Sequence, residues 1–294
     1  MMGGEVDLHI HSNRSSDGDQ PPKRICELAE KHGMKAISIS DHDTMAAYPE
    51  VLEFGEKAGI EIVPSIELTT IFDGREFHLL LPFADWRSQV IAELIERVSE
   101  RRFLEAAERI DRLRTLGFDV SMEEVKARSG SFPPLGVTIA QTLLDKYRGR
   151  RHPELEKYYA AENEAEAPYL FYKNYFMEGR PACVPRRNLP LLEVLDVVSG
   201  TGGVPVLAHP GAYFQNVTKQ DLVLLSEKGI EGLEVFTSYH TAEQTAFYRK
   251  IADDLDLVST AGSDFHGSIK PHIPFASIRD GVYGMVEELN KRRS

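Results

Sequence analysis

The sequence predicts an α/β protein whose largely parallel sheet is open or closed into a barrel and is interrupted by a helical insertion. Short apolar runs alternate with amphipathic helical patterns, the order that places helices against a parallel sheet. Side chains able to bind metal recur where the predicted strands end. Between residues 86 and 189 the chain is instead charge-rich and helical, so we expect residues 1–85 and 190–294 to form one domain and residues 86–189 a second.

The composition restricts the possible classes of function. The chain has 294 residues, enough for a barrel-sized domain with an insertion, and its formal net charge is −12. Such an acidic chain is a poor partner for long nucleic acid or a membrane, whereas a small phosphorylated ligand stays compatible because bound metals reverse the local field. Two cysteines, Cys26 and Cys183, are too few for a disulfide framework. Since no secretory leader is expected either, we predict a cytoplasmic protein.

The first part of the chain is predicted to contain four strands and two helices. Each helix is followed by a glycine, Gly33 or Gly59, as expected where a helix ends in a left-handed turn. The dipeptide Asp73-Gly74 indicates a hairpin before the fourth strand. In chain order the predicted elements are strand 6–11, helix 21–32, strand 36–40, helix 48–58, strand 60–66 and strand 77–81.

The insertion and the last part of the chain follow different patterns. A long helical period over residues 88–117 opens the insertion, and shorter helical patterns cover 139–147, 154–164 and 169–177. After residue 190 strand and helix patterns alternate again, which indicates that the sheet continues. The predicted elements there are helix 191–199, strand 204–208, helix 219–228, strand 232–236, helix 242–255 and strand 257–261.

The first predicted strand carries two histidines, His9 and His11, in a short apolar run. Alternate side chains of a strand share a face, so both imidazoles point the same way and form half of a metal site. The carboxyl ends of parallel strands meet at one face, where further ligands are expected to join them. These candidates are Asp17 in the first loop and, in or after later strands, His42, Glu67, His78, His209, Asp264 and His266.

The number of candidate ligands indicates two or three divalent metal ions, because one zinc site uses only three or four. Glu67 is the natural bridge, since a carboxylate has two oxygens. Mixed imidazole and carboxylate ligation favours Mn, Zn or Fe, with Mg also compatible. Neighbouring metals of this kind suit phosphoester hydrolysis. Asp19 competes with Asp17 as the loop ligand.

Taken together, these segments resemble the PHP (polymerase and histidinol phosphatase) family of metal-dependent phosphoesterases. The resemblance rests on six ordered motifs, which are DLHIHS with Asp17, SDHDT at 40–44, PSIELT with Glu67, EFHLL with His78, AHPG at 208–211 and GSDFHG at 262–267. It implies a distorted (β/α)7 TIM-like barrel with a three-metal centre. On that pattern one metal would be bound by His9, His11, Glu67 and Asp264, a second by Glu67, His78 and His209, and a third by Asp17, His42 and His266.

Within the family, the helical insertion is similar to that of members acting on nucleotides, namely 3',5'-nucleotide bisphosphate phosphatases and 5'-3' exoribonucleases. This resemblance implies that the insertion forms part of the substrate pocket. Nucleotide-type members carry an arginine and a histidine where this chain has residues 135–138, of sequence LGVT, and Ala212 stands where some relatives have arginine. Five arginines of the insertion could bind a phosphate, or could be only solvated surface charges. They are Arg101, Arg102, Arg180, Arg186 and Arg187.

The leading hypothesis is metal-dependent hydrolysis of a small phosphorylated substrate, first of all a 3',5'-bisphosphonucleotide or the 5' end of a short oligonucleotide. A hydroxide that bridges the metals would attack phosphorus. Water or a nearby histidine would protonate the leaving alkoxide, with His240 as the candidate histidine and as a candidate substrate contact. Asp264 and His266 are also assigned to catalysis.

Other functions stay open at this point. A cyclic-phosphate phosphodiesterase and a histidinol-phosphate phosphatase use the same chemistry, and an amidohydrolase-like enzyme would direct a metal-activated water at a carbonyl. A non-catalytic metal-dependent module is disfavoured by the full set of ligands. Tyr213, Phe214 or Tyr239 would stack on a base, with core packing an equal alternative for each. The oligomeric state is left open.

Overall fold

The computed structural model describes residues 4–15, 17–130, 132–150, 152–212, 215 and 217–293. The chain divides into two compact units, Met1–Ile95 with Leu189–Ser294, and Glu96–Asn188. The second unit thus begins at residue 96 rather than at residue 86, where the composition changes. No helix among the described residues is both long enough and apolar enough to cross a membrane.

The first unit contains all nine strands that the described residues form. The strands are β1 Val6–Ile10, β2 Ala36–Ile39, β3 Glu61–Ile62, β4 Glu67–Phe72, β5 Arg75–Leu80, β6 Leu189–Pro190, β7 Val206–Leu207, β8 Gly232–Thr237 and β9 Val258–Gly262. The α-helices of the described chain are α1 Pro22–His32, α2 Tyr48–Ala58, α3 Gln89–Thr115, α4 Met122–Ser129, α5 Gly136–Tyr147, α6 Ala167–Tyr175, α7 Leu191–Val198, α8 Lys219–Glu227, α9 Ala242–Asp254 and α10 Gly284–Lys291.

The strands form two sheets of mixed character. Strands β1, β2 and β3 pair in parallel in that order, and a six-stranded sheet has the order β6-β4-β5-β7-β8-β9. Strand β5 runs antiparallel to both β4 and β7, whereas β7, β8 and β9 are parallel. The mixed α/β class is therefore confirmed, but the sheet is less uniformly parallel than the sequence indicated.

One predicted strand is broken in a way that moves a candidate ligand. Of residues 60–66, only Glu61–Ile62 pairs as β3, and Glu67 begins β4 instead of ending the preceding strand. Pro64 accounts for the break, because a proline has no N–H to donate to a sheet. The hairpin predicted at Asp73-Gly74 joins β4 to β5, and both residues have positive φ, 49° and 72°.

Backbone hydrogen bonds connect the two sheets at the ends of their strands. The Asp264 N–H donates to the His9 carbonyl at 2.9 Å, and the His11 N–H donates to the Phe265 carbonyl at 2.8 Å. The Glu67 N–H likewise donates to the Asp41 carbonyl at 3.2 Å. The ends of β1 and β2 are thus fixed against the segment after β9 and the start of β4.

Strand β1 is buried on both faces, which explains its apolar composition. Leu8 belongs to an apolar cluster with Val6, Ala36 and Val206, while the alternate residue His9 is fully buried on the other face. The strand therefore separates an apolar layer from a polar one, as the two-residue repeat predicts.

The second unit is helical and packs around an apolar, strongly aromatic core. Two 3-10 helices, Pro153–Tyr159 and Glu164–Glu166, replace the helix predicted over residues 154–164. Leu155 and Tyr158 are both buried there, and their three-residue spacing matches one turn of a 3-10 helix. Helices α4 and α10 were not predicted, although the sequence Ser-x-x-Glu at 121–124 is the capping box with which α4 begins.

Candidate metal centre

The first unit brings the side chains of all nine predicted metal ligands into one buried cluster. They form three overlapping groups in which the candidate ligand atoms lie within 4.8 Å of one another. The groups are His11 with Asp17, His42 and His266; His9 with Glu67, His209 and Asp264; and His42 with Glu67 and His78.

The first group is assembled by the loop after β1 and the segment after β9. Asp17 Oδ2 lies 3.4 Å from His42 Nε2 and 3.3 Å from His266 Nε2. The rings of His11 and His266 stack with their centroids 3.9 Å apart. Asp19, the alternative loop ligand, instead accepts hydrogen bonds from the backbone N–H, at 3.0 Å, and the hydroxyl of Ser268.

The second group joins residues that are far apart in sequence. His9 Nε2 lies 3.2 Å from Glu67 Oε2 and 3.3 Å from Asp264 Oδ1. His209 Nε2 lies 3.1 Å from Glu67 Oε1. His9 therefore shares a group with His209, whereas the family pattern paired it with His11. His11 also reaches this group, since its Nε2 is 3.0 Å from Asp264 Oδ1.

Glu67 stands at the middle of the cluster, and its two oxygens face different histidines. Oε1 lies 2.9 Å from His78 Nδ1 as well as close to His209, while Oε2 lies 3.2 Å from His42 Nδ1 and 3.1 Å from His11 Nε2. The carboxylate is fully buried. This arrangement suits a residue that spans two cations.

Several buried polar atoms of the cluster make no hydrogen bond within the described part of the chain, and this shows whether the cluster suits a metal ion. The buried atoms His11 Nδ1, His42 Nδ1, His266 Nε2 and Glu67 Oε2 lie near other candidate ligand atoms but make no hydrogen bond of suitable geometry among the described residues. A buried polar atom without a partner costs about 1–3 kcal/mol. Imidazole nitrogens and carboxylate oxygens that converge on a shared centre are the ligands of divalent transition metals, so the residues fit such ions.

Burial and charge oppose each other strongly in the cluster. Burial disfavours the charged form of His9, but the carboxylates of Glu67 and Glu234 overcome it and hold its pKa well above the usual value. Burial likewise opposes ionisation of Glu67, but neighbouring histidines hold its pKa well below the usual range. At His42 burial prevails and lowers the pKa to about 3. Metal binding would displace the extra proton from histidines whose pKa is raised, such as His9.

Glu234 is a buried residue of this site for which the sequence indicated no specific role. Its Oε1 lies 3.0 Å from His9 Nδ1, and its Oε2 accepts a hydrogen bond from the His209 N–H at 2.8 Å. The available signal was a carboxylate in the apolar run Gly232-Leu-Glu-Val-Phe236, where an unpaired charge would be costly.

Tyr239 and Lys270 contact the outer oxygen of Asp264. The Tyr239 hydroxyl donates to Asp264 Oδ2 at 2.5 Å, and Lys270 Nζ donates to the same oxygen at 2.7 Å. Burial and the adjacent Asp264 carboxylate raise the pKa of Tyr239. Stacking of Tyr239 on a base stays a prediction, and Tyr213 and Phe214 lie outside the described residues.

His240, the candidate proton donor, uses both ring nitrogens within the protein. Nδ1 donates to the Val235 carbonyl at 2.9 Å, and Nε2 accepts from the Gly211 N–H at 2.9 Å. Burial lowers the pKa of His240. A side chain on Gly211 would lie 2.6 Å from the ring, so the contact requires glycine. This geometry favours a role in holding the loop that carries His209.

The predicted phosphate-binding arginines all belong to the second unit. Arg187 pairs with Glu108, and its backbone N–H donates to Glu105 Oε2 at 3.1 Å. Arg180 and Arg186 are exposed. Arg101 and Arg102, on α3, are half-buried. Their contact with substrate stays a prediction.

The chain is similar to known proteins over nearly its whole length. The PHP domain model matches residues 7–262. A phosphoribosyl 1,2-cyclic phosphate 1,2-diphosphodiesterase of Eggerthella lenta is 31% identical over 92% of this chain and 97% of its own length. A 5'-3' exoribonuclease of Haemophilus influenzae is 25% identical over 90% of this chain and 91% of its own. The crystal structure of a candidate metal-dependent phosphoesterase from Bifidobacterium adolescentis superimposes with a TM-score of 0.80 and 26% identity, covering 99% of this chain and 97% of that one.

Proposed function

Because the chain belongs to the PHP domain family and is a metal-dependent phosphoesterase, we propose that its substrate is a small phosphate ester of ribose, a class that includes nucleotides. The convergence of three groups of candidate ligands around Glu67 supports metal-dependent hydrolysis, and the similarity to relatives named for ribose phosphate substrates supports the substrate class. The formal net charge of −12 supports a small substrate over long RNA, because backbone binding needs a broad basic surface.

The nine clustered residues are proposed to hold two or three divalent cations, with Mn, Zn, Fe and Mg as candidates. Such ions, when bound, activate water as a nucleophile and neutralise charge on the phosphoryl oxygens. Glu67 orients the cluster by presenting one oxygen to His78 and His209 and the other to His42. Lys270, whose side chain is 29% exposed, adds positive charge beside Asp264.

His240 is proposed to hold the loop around Gly211 rather than to transfer a proton. Its Nε2 accepts the Gly211 N–H, which fixes the backbone two residues after His209. Solvent water then protonates the leaving alkoxide. The alternative, in which His240 is the general acid, requires one of its two hydrogen bonds to break.

Two substrates within the ribose phosphates are distinguished by specific observations. A ribose cyclic phosphate is favoured by the 31% identity to the Eggerthella lenta phosphodiesterase. A nucleotide 3',5'-bisphosphate or an oligonucleotide 5' end is supported by the similarity to the Haemophilus influenzae exoribonuclease. We rank the cyclic phosphate first.

A substrate panel tests this ranking. Purified protein loaded with Mn is given phosphoribosyl 1,2-cyclic phosphate, adenosine 3',5'-bisphosphate, a short 5'-phosphorylated oligoribonucleotide, histidinol phosphate and an amide, and products are separated by liquid chromatography and identified by mass spectrometry. The highest kcat/KM is expected for the cyclic phosphate. Turnover of histidinol phosphate or the amide, with none of any ribose phosphate, would overturn the proposal. His9→Ala is expected to remove most activity.

The finer features of the fold are also proposed. We infer that the strands of the first unit close into the distorted (β/α)7 barrel, and the bonds from Asp264 to His9 and from Glu67 to Asp41 support closure. The arginines of the second unit are proposed to contact the substrate phosphate. A cytoplasmic location stays a prediction.

A further inference from the structure

Strand β8 supplies none of the nine candidate ligands, although it lies between β7 and β9, each of which is followed by at least one. The strand instead carries Glu234, whose side chain is fully buried. A carboxylate in such a position needs partners, because an isolated buried charge is very costly. Its partners are therefore informative about what the strand does.

Both partners of Glu234 belong to one of the ligand groups. Oε1 contacts His9 Nδ1 at 3.0 Å, and Oε2 accepts the His209 N–H at 2.8 Å. A histidine that binds metal through Nε2 carries its proton on Nδ1, and an acceptor there fixes both the tautomer and the ring orientation. His9 Nε2 does face the cluster, where Glu67 and Asp264 lie.

The backbone opposite Glu234 is shaped to admit this contact. A side chain at Gly262 would lie 2.2 Å from Glu234 Oε1 and 2.3 Å from His9 Cβ. Any residue other than glycine would have to push the carboxylate away from the ring. The close approach of β9 therefore confines the Glu234–His9 pair.

Tyr239, two residues beyond the end of β8, acts on a third member of the same group. Its hydroxyl donates to Asp264 Oδ2 at 2.5 Å, and Lys270 donates to that oxygen at 2.7 Å. Asp264 Oδ1 is left facing His9 and His11, at 3.3 and 3.0 Å. The outer oxygen is thus occupied, and the inner one is directed to the cluster.

We propose that β8 and the loop after it form a positioning strand, in which Glu234 orients His9 and His209 and Tyr239 orients Asp264 for binding one divalent cation. The inference rests on the proposed metal centre but not on any particular substrate. Partners of metal ligands typically contribute about 10–100-fold to metal affinity, and this range sets the expected effect.

The test is metal retention by Glu234→Gln, a variant of the same shape without the charge. Wild-type and variant proteins are loaded with Mn, equilibrated against a graded series of chelator concentrations, and assayed for bound metal by mass spectrometry. The apparent dissociation constant of one metal equivalent is expected to rise about 10–100-fold in the variant, with the other equivalents retained. Equal retention by both proteins would overturn the inference. If wild-type protein also binds no metal, the proposed metal centre itself fails.

Two further variants separate positioning from a merely structural role. The matched control is Glu231→Gln, three residues before Glu234. The Glu231 carboxylate is 40% exposed and pairs with Arg292, so this variant should retain metal like wild type. Tyr239→Phe removes one hydroxyl, and a loss of about 10-fold is expected because Lys270 still contacts Asp264. A structural role would lower the melting temperature and leave metal affinity unchanged. Should Glu234→Gln fail to fold, unchanged affinity in Tyr239→Phe overturns the inference.

Discussion

The two units of the molecule differ in the polar side chains that they bury. Of the 24 polar or charged residues that are buried in the described chain, 22 lie in the first unit and only Arg109 and Thr142 lie in the second. The second unit instead buries stacked aromatic rings such as Phe171 and Tyr175, whose centroids are 4.2 Å apart. The interior of the first unit thus combines an apolar core with a polar cluster that could hold ions, whereas the described interior of the second unit is almost entirely apolar.

This difference implies different origins of stability. Apolar burial contributes about 25 cal/mol per Å² without any ligand, so the second unit has its driving force within its own sequence. The buried carboxylates and imidazoles of the first unit are costly until cations compensate them. We therefore expect stability to depend on metal as well as on packing in the first unit, and on packing alone in the second.

Phe171→Ala is the strongest expected disturbance of the second unit. The side chain is fully buried, and deleting a buried phenylalanine typically costs about 3–5 kcal/mol. Hydrogen exchange followed by mass spectrometry should show lost protection in α5 and α6, with bound metal unchanged. Phe247→Ala, at a side chain that is 49% exposed on α9, is the control. Loss of metal in Phe171→Ala would contradict the different origins of stability expected for the two units.

Metal removal should act on the other unit. Binding at 100 to 1,000 times the dissociation constant stabilises a native state by about 2.7–4.1 kcal/mol, and chelation removes that amount. Exchange should rise in peptides covering β1, β4 and β9, while α5 and α6 keep their protection. Equal loss of protection in all these peptides would contradict the expectation that metal stabilises the first unit and not the second.

Glu67→Gln should impair the centre while leaving the second unit intact. The amide keeps the shape but presents only one oxygen, so it is a poor bridge between His78 and His42. We expect kcat/KM to fall about 100-fold or more. Residues that only contact a metal ligand typically contribute about 10–100-fold, and a bridging ligand should contribute at least as much as the upper end of that range. Glu53→Gln, at an exposed carboxylate paired with Lys57, should retain full activity. Comparable activity in the two variants would remove Glu67 from the centre.

The smallest effects are expected from two matched helix caps. Ser121 caps α4 in the second unit and Thr218 caps α8 in the first, each through a capping box. Replacing either by alanine should cost about 1 kcal/mol. Hydrogen exchange should localise each loss to its own helix, and spread of the Ser121→Ala effect to α8 would show that the units are coupled.

The sequence predicted which candidate ligands cluster far better than it predicted the residues that contact them. His9 and His11 were predicted as candidate ligands because side chains two residues apart in a strand share a face, and the other histidines lie in recognisable motifs. The role of Glu234 was not readable, because its partners are 225 and 25 residues away in sequence. The 3-10 helix around Leu155 and Tyr158 was missed for a local reason, since a three-residue repeat is easily taken for part of an α-helical one.

The wide spacing of the ligands has a consequence for biosynthesis. A chain emerges from the ribosome in order, and its domains generally fold as units while it does so. Residues 96–188 form one continuous unit and can finish folding as soon as they have emerged. The cluster needs both His9 and His266, so it can be complete only after His266 has emerged. During translation His9 and His11 are therefore made well before Asp264 and His266, and until then they can meet metal ions without the complete cluster.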